Sequence, residues 1–177
     1  MQKLCEVTVE TYLAAGNPFD VVPRPQECEC CGERGCFHRH TTYERYFGAE
    51  RREVARFLCV LCGLTVSVLP AFVLPYRSRL VEAVDRYFMA EHADRVEMSD
   101  ADLLRRYWLL WVAHMASVQR DTGWPPVRLA REPRAYWRQM REALGSMAKA
   151  QCYLIEHYGV SLLRRYACHR ALRRCDC

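Results

Sequence analysis

"CECCGERGCFHRH", residues 28–40, sets four cysteines and two histidines within thirteen positions. A disulfide, a metal site or a redox centre could each use some of them. The stretch that decides lies downstream. Cys28-x2-Cys31-Gly32 recurs as Cys59-x2-Cys62-Gly63, with 27 residues between the two pairs. Two such knuckles present four thiolates to one tetrahedral Zn2+. A glycine after each second cysteine allows the positive φ of a tight turn. Reduced cysteines buried as small hydrophobes would not need two CxxCG units. The pattern predicts one zinc, held by Cys28, Cys31, Cys59 and Cys62 in a zinc ribbon.

Cys30, Cys36, His38 and His40 are then surplus. Along a strand His38 and His40 alternate onto one face. That face is read as solvated, as a phosphate contact, or with Cys36 as a second metal site.

The rest of the first half supports a small β domain. Residues 1–27 read as an extended or short-element arm ending in the Pro-rich linker "GNPFDVVPRP" (16–25). Strands are predicted over 37–47, 51–59 and 64–69, with Gly48 and Ala49 turning the first hairpin. In "LTVSVL" (64–69), Leu64, Val66 and Val68 alternate onto one face. From Ser78 the period changes to helical. Ser78 is expected to cap one helix, and Ser99 to open a long one as a capping box with Asp102. "YWLLWVA" (107–113) is apolar all round, so that helix should be the buried centre. Pro133 to Gly145, Ser146 to Gly159 and Ser161 to about Leu172 read as three more. The expected fold class is α+β: an arm (1–27), a zinc ribbon (28–75) and a basic helical domain (76–177).

Charge is split between the halves. Residues 1–70 hold 8 Arg+Lys and 9 Asp+Glu, a net of −1; residues 71–177 hold 18 and 12, a net of +6. All but two of the 26 basic residues are arginine, the side chain suited to phosphate forks and guanine edges. A GC-rich genome would produce the same bias. Arg134, Arg138 and Arg141 form a stripe at helical spacing, and Arg164, Arg165, Arg173 and Arg174 a basic end. Each is either a solvated face or a phosphate contact. In the ribbon Arg39, Arg45, Arg51 and Arg52 are the alternative contacts. The tail "CHRALRRCDC" (168–177) offers Cys168, His169, Cys175 and Cys177 as a possible second zinc site, or is a frayed end.

No run approaches the ~20 apolar residues of a membrane helix, and the N-terminus lacks the basic start and apolar run of a signal peptide. A cytoplasmic, bacterial location is expected, where clustered cysteines bind metal rather than form disulfides.

"NPFDVVPRP" (17–25), "RFLCVLCG" (56–63) and "LPAFVLPYR" (69–77) resemble the zinc-ribbon head of certain bacterial insertion-sequence transposases and their short stand-alone relatives. The likeness runs from about Gly16 to Arg79. In that family the ribbon is followed by helix-turn-helix elements, and "LLRRYWLLW" (103–111) is similar to their Arg/Trp-rich second helix. The resemblance implies duplex DNA as a partner and adds Arg105 and Arg106 to the contacts. It also implies a separate nuclease, transposase or nucleoprotein complex beside this chain. A full transposase needs carboxylates converging on paired metal ions, yet Glu132, Glu142 and Glu156 are scattered singly, and Asp100 and Asp102 suit a helix start. No catalytic residues are expected. A structural subunit or interaction scaffold, using Trp108, Trp111, Trp124 and Trp137, is the other reading.

Overall fold

The computed structural model describes residues 1–75, 77–91, 94–95, 98–123 and 132–163. Within them the protein is α+β, with one four-stranded sheet and five α-helices. It divides into two compact units, the first Met1–Arg79 and the second starting at Leu80.

The first unit holds the sheet, of order β1-β4-β3-β2. Strands β2 (Phe37–Phe47), β3 (Glu50–Cys59) and β4 (Thr65–Pro70) form an antiparallel meander. Two residues, Gly48 and Ala49, close the first hairpin, with Phe47 opposite Glu50. Gly48 has φ 71°, and glycine at this first turn position matches the right-handed twist of the strands.

One expectation needs correction here. Residues 1–27 are not a separate arm. Strand β1 (Gln2–Cys5) joins the sheet parallel to β4, with Gln2 opposite Ser67 and Cys5 opposite Pro70. Helix α1 (Val9–Ala14) then sends Tyr12 onto Phe47 and Phe72, at 5.5 and 6.0 Å between ring centroids. The Tyr12 hydroxyl donates to the Glu53 carbonyl over 2.8 Å. A 3-10 turn (Pro18–Asp20) sets Phe19 edge-on against Phe57 at 5.2 Å. Strand β4 is buried on both faces from Val66 onward. With β1 and β3 on its two sides it is an interior strand, and Ser67 and Leu69 are buried like Val66 and Val68.

The second unit contains α2 (Val81–Met89), α3 (Ala101–Thr122), α4 (Pro133–Leu144) and α5 (Met147–Tyr158). Helix α2 packs against each of the other three. Its Phe88 meets Trp108 at 5.0 Å and Trp137 at 4.6 Å. The Trp137 indole N–H donates to Asp85 over 2.7 Å, which satisfies the one polar atom of a fully buried ring.

Punctuation held in α4 and α5. Glu132 accepts from the Ala135 N–H, Ser146 accepts from the Lys149 N–H, and Gly145 and Gly159 end the helices in left-handed conformation. It failed at the starts of α2 and α3. The residue before α2 is Leu80, with no side-chain cap, and the Ser78 carbonyl instead accepts the Gly48 N–H within the sheet unit. Helix α3 begins one residue after Asp100, whose φ of 67° replaces the expected Ser99 cap. Nor is α3 the buried centre: Leu109, Leu110 and Val112 are 57, 39 and 39% exposed. Of the expected helix from Ser161, residues 161–163 are irregular, and the remainder lies outside the described residues.

Candidate metal centre

The site is built by two loops with the same backbone pattern. In the first, the Gly32 N–H donates to the Cys28 carbonyl over 2.7 Å and the Cys28 N–H to the Glu33 carbonyl over 2.9 Å. In the second, the Gly63 N–H donates to the Cys59 carbonyl over 2.9 Å and the Cys59 N–H to the Leu64 carbonyl over 2.8 Å. Gly32 and Gly63 adopt φ of 77° and 75°, which an L side chain resists. A Glu27–Arg34 bridge closes the first loop and the β3–β4 connection carries the second.

This duplication brings the four sulfurs of Cys28, Cys31, Cys59 and Cys62 within 4.8 Å of one another. Cys28 Sγ lies 3.6 Å from Cys62 Sγ, and Cys31 Sγ 3.8 Å from Cys59 Sγ. A disulfide would need about 2.05 Å. A tetrahedral zinc with Zn–S bonds of about 2.3 Å has S···S edges of about 3.8 Å. The cluster is therefore the right size to hold one metal ion. Among the described residues it is the one group of three or more metal-ligating side chains so placed.

Backbone amides prepare the sulfurs for charge. Burial disfavours the Cys59 thiolate, but N–H groups of Cys62 and Leu61 and the thiols beside it bring Cys59 down to about 6. The Glu33 N–H favours the Cys31 thiolate, yet desolvation and the neighbouring sulfurs push Cys31 up to about 11. Burial, opposed by the Leu64 N–H and reinforced by nearby thiols, pushes Cys62 up to about 12. Without a cation, then, Cys59 is charged at neutral pH while Cys31 and Cys62 keep their protons. A coordinated thiol is deprotonated outright. Metal uptake at pH 7 should release at least two protons, which calorimetry in buffers of different ionisation enthalpy would count. Release of fewer than two would mean that Cys31 or Cys62 is not a ligand.

Cys36 is a residue whose role the spacing did not show. It is buried, its thiol donates to the Glu33 carbonyl over 3.2 Å, and its carbonyl accepts the Val60 N–H over 3.0 Å. It thus clasps one knuckle to the other. Burial, then the adjacent Cys59, pushes Cys36 up to about 12. His38 and His40 are exposed, and a bulge at His40 breaks the alternation that would have set them on one face.

The arginines singled out by the sequence fall into three groups. Those of the sheet unit are engaged. Arg39 lies over Phe19 and pairs with Asp20, Arg45 donates to the Leu74 and Arg77 carbonyls, Arg51 meets Tyr46 and Glu44, and Arg52 pairs with Glu50. In the helical unit Arg105, Arg106 and Arg138 are exposed, Arg134 lies 3.8 Å from Glu91, and Arg141 3.3 Å from Asp85. Arg164, Arg165, Arg173 and Arg174 lie outside the described residues, as do Cys168, His169, Cys175 and Cys177. No helix among the described residues is long and apolar enough to cross a membrane.

No family model matches the chain, and neither a curated protein nor a solved structure matches it.

Proposed function

We propose that this protein is a zinc-containing DNA-binding protein of transposon descent, without a catalytic core of its own. It positions duplex DNA, or a partner nuclease or transposase, through its basic helical unit. The observation that carries the metal assignment is the four-sulfur cluster of tetrahedral dimensions on two matching loops. All-thiolate donors select zinc over hard cations such as Mg2+. Four protein ligands leave no open position for water, so the role is structural. Zinc there would neutralise thiolate charge and lock the two knuckles together.

The DNA assignment rests on charge. The net of +6 falls in residues 71–177, and the exposed guanidinium groups of Arg105 and Arg138 lie on helices. Within the sheet unit Arg45 is committed to the Leu74 and Arg77 carbonyls, and the helices remain the expected interface. A long pair to an exposed partner, such as Arg134–Glu91 at 3.8 Å, is individually weak and can exchange for phosphate.

Anisotropy of a labelled duplex across a salt series tests this. Arg134→Ala with Arg138→Ala should weaken binding to all sequences. The salt slope should fall by about one for each phosphate that the variant no longer neutralises. The pure chain should leave supercoiled plasmid intact in Mg2+. Duplex binding that is absent at low salt would favour the scaffold reading instead. Its specific support is the tip of the second knuckle, where Val60 and Leu61 are 57 and 64% exposed.

A further inference from the structure

Helix α3 has two apolar faces, and its own unit covers one. Leu104, Tyr107, Trp111, Met115 and Val118 are buried. On the opposite side Asp102, Arg106, Leu109, Ala113, Ala116 and Arg120 recur at steps of four, three, four, three and four, and all six are exposed. That is a heptad seam with an apolar middle and charged ends. Leu110 and Val112 widen it.

We propose that this seam is the interface of a two-fold homodimer in which two copies of α3 pair antiparallel. Charge identifies both the occupant and the direction. A two-fold axis at the level of residue 111 sets Asp102 against Arg120 of the second copy, Arg106 against Ala116 and Leu109 against Ala113. The symmetry makes every pairing twice. Each end of the interface gains an Asp–Arg pair, and each Leu109 meets a small residue that lets the helices approach. Parallel pairing would stack Asp102, Arg106 and Arg120 each on its own copy. Like charges therefore select against it. The seam runs from Asp102 to Arg120 of the helix, about 27 Å at ~1.5 Å per residue, and a helix is about 10 Å across. The resulting area of about 270 Å² is small beside the roughly 800 Å² per partner of a stable interface, so the dimer is expected to be reversible and concentration-dependent.

Sedimentation equilibrium of the full chain without DNA tests this. The mass should rise from 20.8 kDa toward twice that value with concentration. Leu109→Glu should keep the chain monomeric with an unchanged helical circular dichroism signal. Asp102→Arg and Arg120→Asp should each weaken association about tenfold, and the two together should restore it, because the swapped pair again matches. These two surface changes carry the test if Leu109→Glu perturbs folding. A monomer at every concentration would overturn the proposal. So would a dimer indifferent to Leu109→Glu, or failure of the double exchange to restore what the single ones lose. A parallel dimer would be indifferent to the single exchanges, because each replaces one like-charge pair by another, and would equally overturn it.

Discussion

A Cys59→Ser chain should lose its metal and unfold the sheet unit, while the helical unit keeps its own unfolding transition. Cys59 is fully buried and ends β3 opposite Phe37. Its sulfur receives backbone N–H groups from its own knuckle and sits 3.8 Å from that of Cys31. A serine oxygen is shorter and harder, and three thiolates no longer close a tetrahedron. Structural zinc contributes about 10–16 kcal/mol in finger peptides, comparable to the roughly 5–15 kcal/mol that holds a whole domain folded. The small core around Phe37, Phe57 and Leu69 does not replace that. All four tryptophans, at 108, 111, 124 and 137, follow Leu80 in sequence. Tryptophan fluorescence during denaturation therefore follows the helical unit alone, and strand circular dichroism follows the sheet. A sheet that persists in Cys59→Ser would count against a structural metal.

The second large effect belongs to the helical core. Trp111→Ala should cost about 3–5 kcal/mol, enough to leave a unit of ordinary stability barely folded. Trp111 is fully buried, stacked on Tyr136 at 5.4 Å and edge-on to Trp137 at 5.1 Å. Its indole N–H donates to the Pro133 carbonyl over 3.0 Å, tying the middle of α3 to the start of α4. Truncation leaves a cavity between aromatic rings that cannot collapse without shifting α4. Trp111→Phe keeps much of the packing and loses the hydrogen bond, at about 1 kcal/mol for that bond alone. Urea titration of the two variants separates these contributions. Similar midpoints for both would place the energy in the hydrogen bond rather than the ring.

The sequence announced features whose causes are local. The two CxxCG units could be seen because a metal knuckle needs a fixed spacing and a glycine of positive φ. Strands β2 to β4 were legible from the aromatic and Thr content of 37–47, the Gly48 turn and the alternation of 64–69. Helices α4 and α5 were legible from Pro133, Ser146 and the terminal glycines. What escaped depends on distant partners. Strand β1 is four residues, "QKLC", and becomes a strand only because β4, far along the chain, offers it a parallel edge. The burial of Ser67 follows from the same pairing. Cys36 looked like a spare ligand, since nothing in its neighbours shows that its carbonyl meets Val60. "YWLLWVA" suggested a helix buried all round, yet Leu109 and Val112 face outward. Apolar composition alone does not tell a core face from an interface.

We propose one zinc ion held by Cys28, Cys31, Cys59 and Cys62. Native mass spectrometry of the freshly purified chain, with elemental analysis of the same sample, tests it directly. One zinc per 20.8 kDa chain is expected, retained through gel filtration and lost in Cys59→Ser. A freshly purified chain that carries no zinc and does not take it up when reduced would contradict it.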